Sequence, residues 1–213
     1  MTILIVSATE LELAPFAAEL RAHPRHHVEI LITGVGMVAT AATCSRALAG
    51  RRYDLALNLG VCGSFDRALA PGAVVHVVTD RLPELGAEDG EEFLSLEDLG
   101  LGRQAVINAG PPASDALRAL PAAAGITVNT VHGDDRSIAR MLARIGSTAP
   151  LAGPVESMEG AAFMYGCQLH GVPFAQVRAV SNVVERRNRA AWKMEDAIRN
   201  LGASAIRILD TLP

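Results

Sequence analysis

Aromatic side chains are scarce in this chain of 213 residues: five Phe, two Tyr and one Trp, 4% of the total. A core must therefore be assembled from Ala, Val, Leu and Ile, which the 50% hydrophobic content supplies. Cysteine is nearly absent too. Cys44, Cys62 and Cys167 stand far apart with no Cys-x-x-Cys, which excludes a disulfide framework or a zinc site and fits a reducing cytoplasm. There is no basic excess: 19 Lys and Arg against 23 Asp and Glu give a net charge of -4, the wrong sign for a dedicated nucleic-acid binder. No apolar run approaches the ~20 residues of a membrane-spanning helix. The N-terminus lacks a basic stretch before Ile3-Leu4-Ile5-Val6 and reads as a first strand, not a signal peptide. The six histidines show no metal-ligand spacing on one helix face, and His26-His27 read as surface residues; no metal is assigned.

What is present is alternation. Apolar runs at Thr2–Val6, Val28–Thr33, Leu55–Leu59, Ala73–Thr79, Ala105–Asn108, Thr127–Val131 and Phe174–Val180 read as strands. Between them, Leu11–Ala22, Val38–Ala49, Asp115–Leu120, Ser137–Ile145, Ala161–His170 and Ala190–Leu212 carry helical patterns. Continuously apolar strands are buried on both faces, and strand–helix alternation argues a largely parallel sheet covered on both sides. The length fits one α/β domain over 1–213. One long segment, Asp80–Gly102, is acidic and reads as irregular, either a solvated excursion or a lid.

Two glycine turns follow strands. Thr33-Gly34-Val35-Gly36-Met37-Val38-Ala39 opens a helix, as a dinucleotide site does. It follows the second strand, not the first, and no acidic residue closes a ribose-binding strand about 20 residues on. No cofactor is assigned. Asn58-Leu59-Gly60-Val61-Cys62-Gly63-Ser64 reads either as a strand-to-loop bend or as backbone lining a base pocket.

The chemistry gathers near the C-terminus. Glu156-Ser157-Met158-Glu159-Gly160-Ala161-Ala162-Phe163 sets an acid at the mouth of a helix, and Val177-Arg178-Ala179-Val180-Ser181-Asn182 is an apolar strand ending on polar groups. Together they can converge a carboxylate, a guanidinium, a hydroxyl and an amide on one pocket, a set that suits a polyhydroxylated ring joined to a nitrogen base. Arg178 lies in an apolar strand, where a guanidinium needs a partner; a carboxylate such as Glu12 or Glu159 is expected.

The order Met-Glu-Gly-Ala-Ala, then Arg-Ala-Val-Ser-Asn, resembles the purine nucleosidase and phosphorylase superfamily. Within it the chain is most similar to the futalosine hydrolase family, through Leu85-Gly86-Ala87-Glu88-Asp89-Gly90, Phe93-Leu94-Ser95-Leu96 and Ser181-Asn182 with Glu185-Arg186-Arg187 and Ala190-Ala191-Trp192. The resemblance implies a three-layer α/β/α sandwich of the nucleoside phosphorylase type, a central mixed β-sheet flanked by helices. It implies N-glycosidic hydrolysis of futalosine to hypoxanthine and dehypoxanthinylfutalosine, in menaquinone synthesis, by a homo-oligomer. Glu12 then activates water, with Glu10 as the fallback; on the residues alone both are first-turn helix acids. Glu159 and Met158 hold the ribose, Arg178 orients the carboxylates, and Cys62, Gly63 and Ser181 line the substrate pocket. Arg136 falls where adenine-specific relatives stack a Phe on the base. Those relatives carry an Asp where Asn182 stands. An amide cannot give up a proton but can donate hydrogen bonds to N7 and to a 6-oxo group, which favours hypoxanthine; the bland role for Asn182 is a turn cap. Gly34 to Thr43 holds no Arg or Lys, which favours water over phosphate as nucleophile. Arg186, Arg187 and Arg189 are candidates for the substrate's benzoate, and equally a solvated basic turn. The rivals are a 5′-methylthioadenosine/S-adenosylhomocysteine or aminofutalosine nucleosidase, a purine nucleoside phosphorylase, and a non-catalytic nucleoside-binding protein.

Overall fold

A computed structural model describes residues 1–213. In chain order the strands are β1 (Thr2–Ser7), β2 (His27–Ile32), β3 (Leu55–Ser64), β4 (Val74–Arg81), β5 (Gly86–Asp89), β6 (Glu92–Ser95), β7 (Ala105–Ile107), β8 (Ala122–Thr127), β9 (Ala152–Ser157) and β10 (Phe174–Val183). The helices are α1 (Glu10–Leu13), α2 (Ala17–Arg21), α3 (Met37–Gly50), α4 (Asp115–Arg118), α5 (Asp135–Ile145), α6 (Gly160–His170) and α7 (Met194–Asp210).

The sheet is mixed. β1 pairs in parallel with β2 and β3, β3 with β10, β4 with β8 and β8 with β9, while β10–β4, β3–β9 and β4–β7 are antiparallel. These pairings close a ring: β3, β10, β4, β8 and β9 return to β3. Alternation along β1 explains the layers. Ile3 and Ile5 pack with Leu57, Val177, Leu201 and Ile208 under α7, whereas Leu4 and Val6 pack with Cys44, Phe163, Met164 and Cys167 under α3 and α6. Large aliphatics on both faces do the work the few aromatics cannot.

Several elements differ from the sequence expectation. The helix read over Leu11–Ala22 is two short helices, α1 and α2, with Pro15 between them; proline lacks the N–H that a continuous helix needs. β3 does not bend at Gly60 but runs on through Ser64. The strand expected at Thr127–Val131 lies earlier, at β8, and overlaps only at Thr127. β9 was not foreseen, because Ala-Gly-Pro-Val-Glu-Ser has poor strand composition. The acidic segment holds a hairpin, β5–β6, turning at Gly90 with φ of 64°. His26 is buried and its Nε2 lies 3.1 Å from Leu209 O, so only His27 of that pair is a surface residue.

Asp80 opens the acidic segment but is itself fully buried. Thr127 Oγ1 donates to its Oδ1 at 2.9 Å and Gln176 Nε2 to its Oδ2 at 2.9 Å. A Cβ on Gly125 or Gly160 would strike Asp80 Oδ2, so both glycines are required by close approach. Burial pushes the carboxyl up to about 6, against the lowering effect of the Gln176 and Thr127 bonds and of Arg178. A carboxyl raised above its unfolded value of 3.8 contributes stability while protonated and loses it as pH rises from about 4 to about 6. Gln176 Oε1 has no partner and can receive an amide hydrogen after a side-chain flip. Asp80→Asn is therefore expected to unfold at a higher temperature than wild type near pH 8, by an amount equivalent to about 3 kcal/mol, and to lose that advantage near pH 4. Thermal melts of both proteins at the two pH values check it; a gap that does not change with pH counts against a buried ionised carboxylate.

Candidate active site

A cavity of about 340 Å³ opens where the C-terminal halves of β3 and β10 meet β9, the turn before α1, the Gly34–Gly36 turn and the start of α6. Glu12, Glu159, Met158, Asn182, Ser181, Cys62 and Gly63 all line it. Of the residues expected there from sequence, Arg178 and Arg136 do not.

Glu12 is fixed by its own helix start. Its Oε2 accepts from Thr9 N (3.1 Å), Thr9 Oγ1 (3.0 Å) and Ser7 Oγ (3.1 Å), and the first of these, with the Glu12 backbone N–H given back to the Thr9 side chain, forms a capping box. Oε1 accepts from Val61 N at 3.0 Å. Glu10 is exposed and does not line the cavity. Glu159 stands at the N-cap of α6 yet makes no cap bond to it. Its carboxylate turns to the glycine turn instead: Gly36 N donates to Oε1 at 2.9 Å and Met158 N to Oε2 at 3.2 Å. Gly36 has φ of 96°, a backbone state that disfavours any side chain, and in that state its N–H is aimed at Glu159.

Arg178 lies beneath the floor, 2% exposed. The expected carboxylate partner is absent. Its Nη2 donates to Asn58 Oδ1, and Asn58 in turn donates to Val6 O at 3.0 Å. Its Nη1 and Glu12 Oε1 both crowd the point where a Gly60 Cβ would stand, the carboxylate oxygen 2.9 Å from it. The pull of a carboxylate on the guanidinium is thus exerted across Gly60 without a direct ion pair. Arg136 is exposed on the first turn of α5, where Asp134 caps the helix through Arg136 N and Ser137 N. The loose spacing between Arg136 and Glu159 misled, because β9 and its approach were unforeseen.

The strand end is irregular in a useful way. Val180 pairs with Cys62 but Asn182 with Gly63, so Ser181 is the extra residue of a bulge. Ser181 Oγ stands 3.1 Å from Cys62 O and 2.8 Å from Asn182 Oδ1, two acceptors for one hydroxyl hydrogen. Asn182 Nδ2 donates to Val183 O at 2.9 Å, which fixes the amide orientation and leaves it one free hydrogen. Asn182 therefore cannot serve both N7 and a 6-oxo group with separate hydrogens, as the sequence reading had it. Burial pushes the Cys62 thiol up to about 12, which removes it as a nucleophile.

Of the lining residues, His132, Glu156 and Trp192 had no role assigned from sequence, while Arg187 was one of three candidates for the benzoate. His132 and Glu156 form a pair, and Arg187 and Trp192 stand together with the guanidinium carbon 5.5 Å from the ring centre. Glu156 sat inside the quoted motif, and Arg187 and Trp192 inside the C-terminal signature; for His132 there was no local signal at all.

The sequence profile of the Phosphorylase superfamily matches residues 2–212. The chain belongs to that superfamily. Within it the kinship is with futalosine hydrolases. The chain is 35% identical to futalosine hydrolase of Streptomyces coelicolor over 81% of its own length and 74% of that protein, and 29% identical to that of Thermus thermophilus over 84% and 80%. In three dimensions it is similar to a 5′-methylthioadenosine/S-adenosylhomocysteine nucleosidase from Colwellia psychrerythraea in complex with adenine (TM-score 0.79, 21% identity, 100% and 96% of the chains). It is also similar to native futalosine hydrolase of Helicobacter pylori (TM-score 0.79, 13% identity, 100% and 98%). The fold is the nucleoside phosphorylase type, its mixed sheet flanked by helices.

The floor has a direct test. A Cβ at Gly60 has no room, whereas at Gly50 nothing lies within 4 Å. Gly60→Ala is expected to cost about 1–3 kcal/mol of stability, and Gly50→Ala to cost far less. Denaturant unfolding of the two variants side by side checks this; equal stabilities would mean that the Arg178–Gly60–Glu12 approach is loose.

Proposed function

We propose that this chain hydrolyses the N-glycosidic bond of futalosine, releasing hypoxanthine and dehypoxanthinylfutalosine, in menaquinone biosynthesis by the futalosine route. The observation that carries the reading is two carboxylates, Glu12 and Glu159, on one cavity with a neutral amide, Asn182, at the strand end beside them. Breaking the bond from C1′ to the base builds positive charge on the sugar and negative charge on the base. Glu159 accepts the ribose hydroxyls with Met158 packed against the ring. Glu12 takes a proton from the attacking water through Oε1, the oxygen with one protein donor against three on Oε2. Arg178 lies below that carboxylate, across Gly60. Asn182 donates its one free amide hydrogen to the base, a contact open to a 6-oxo purine. Gly63 and Cys62 form the backbone wall beside it, and Ser181 fixes the Asn182 amide.

Water as nucleophile is supported by charge. Arg187 is the only Arg or Lys that lines the cavity, and it stands with Trp192, Met194 and Ile198, a cation above an apolar wall. That combination suits a benzoate tail, so Arg187 is the residue given to the carboxylate and Arg186 and Arg189, which do not line the cavity, are not. We place the reaction in the cytoplasm, where the three free, buried cysteines remain thiols, and we read 1–213 as one working domain. A homo-oligomer is part of the same reading: Leu11, Val35 and Val38 are 78%, 58% and 79% exposed near the cavity mouth, and Tyr165 and Leu169 are exposed on α6, an apolar face that a second copy would cover.

Purified protein given futalosine in phosphate-free buffer is expected to release hypoxanthine at a rate that added phosphate does not change. Adenine release from aminofutalosine or methylthioadenosine, with futalosine untouched, would overturn the base assignment. Glu12→Gln keeps the acceptor to Val61 N but removes the base, and is expected to lower kcat by about 10²–10⁴-fold; its amide then faces the three donors now on Oε2, so a lower unfolding temperature is expected beside the loss of rate.

A further inference from the structure

The hydrolysis proposed above leaves one task without an owner. The departing purine must gain a proton, and Asn182 has none to give. Among the groups at the base end of the cavity, His132 is built for that transfer. Its side chain is 8% exposed and that of Glu156 3%, and every hydrogen bond made by the Glu156 carboxylate goes to this one residue: Oε1 accepts from His132 N at 2.9 Å and Oε2 meets His132 Nδ1. The edge of the Phe65 ring, with centroids 5.9 Å apart, confines the imidazole from another side. Nε2 is left with no hydrogen bond in the protein and, unlike Nε2 of His76, it is not sealed from solvent.

The pair sits beside Asn182, the residue given to the base. In the sheet, Gly63 pairs with Asn182 on one side and with Glu156 on the other, so the amide and the His132–Glu156 pair flank the same backbone position. A carboxylate that holds Nδ1–H fixes the orientation of the imidazole and leaves Nε2 facing the cavity. The carboxylate is itself pushed up by burial and held down by His132, so the two groups need each other.

We propose that His132, oriented by Glu156, is the general acid that protonates the leaving purine. The inference rests on the hydrolase reading. As the C1′–N9 bond breaks, its electron pair passes to the purine; an N–H bond forms on the purine ring at the expense of the Nε2–H bond of the imidazolium. Water adds its hydroxyl to C1′ and its remaining proton passes to Glu12. Afterwards Glu12 loses that proton to solvent and His132 regains one. His132 is then a catalytic residue and Glu156 a positioning residue.

The test compares leaving groups. Futalosine is set against a nitrophenyl glycoside bearing the same sugar and tail, whose departure needs no proton. His132→Gln alone would strand a buried carboxylate, so the double variant H132Q/E156Q is made beside it, and E156Q by itself. Both H132Q proteins are expected to lose about 10²–10⁴-fold in kcat on futalosine and less than about tenfold on the nitrophenyl compound, with E156Q between them and wild type. Equal losses on both substrates, or no loss on futalosine, would overturn the assignment of His132 while leaving the hydrolase reading intact. A wild-type protein that releases no base from futalosine would overturn both.

Discussion

A guanidinium with almost no access to water sits under the cavity floor, and much of the architecture is arranged around it. Arg178 is carried by β10, the strand that closes the ring between β3 and β4. A charge at that depth needs compensation, and with Nε left without a hydrogen bond the burden falls on the groups around the other end of the guanidinium. Asn58 gives it an oxygen, Glu12 and Asp80 give it negative potential from two directions, and Gly60 gives it room. Those same groups then fix other things. Asn58 is tied to β1, Glu12 caps α1, and Asp80 with Thr127 receives the first turn of α6, where Ala161 N donates to Thr127 Oγ1 at 2.7 Å. The polar interior is thus a single network whose members anchor three separate walls of the cavity.

The walls are held by ties between distant parts of the chain. Glu159 to Gly36 N, Glu12 to Val61 N and Ser181 to Cys62 O each cross from one secondary element to another. Each joins a side chain to a main-chain group of another segment, so the backbone fixes where the functional side chains point. The bulge at Ser181 serves the same end. It turns the strand by one residue so that a hydroxyl and an amide brace each other at the cavity edge.

The layering was legible because it is carried by short-range pattern: apolar runs such as Ile3–Val6 and Leu55–Leu59 and helices such as α3 and α6 lie where periodicity placed them. The motif residues Met158, Glu159, Ser181 and Asn182 were legible from order and resemblance, and they share the cavity with Glu12. What failed depended on three-dimensional neighbours. β9 is a strand because β8 and β3 offer it edges, not because of its composition. Without β9 in view, neither Glu156 nor its partner His132 had a place, and Arg136 was set in a base site it does not reach. Arg178 was recognised as buried, but its partner is an amide on β3 because Gly60 lets the guanidinium slide past the carboxylate.

The ring of strands also bears on how the chain is made. β3 and β4 are neighbours in sequence and emerge early, yet they do not pair with each other; the gap between them is filled by β10, more than ninety residues later. Sequential strands commonly pair, so a growing chain holds two bare strand edges that fit one another as a premature hairpin until Phe174–Val183 is available. Domains fold as units during synthesis, and unpaired edges invite wrong partners. The strand that brings Arg178 and Asn182 to the site is thus also the one that separates β3 from β4, so ring closure and completion of the cavity coincide.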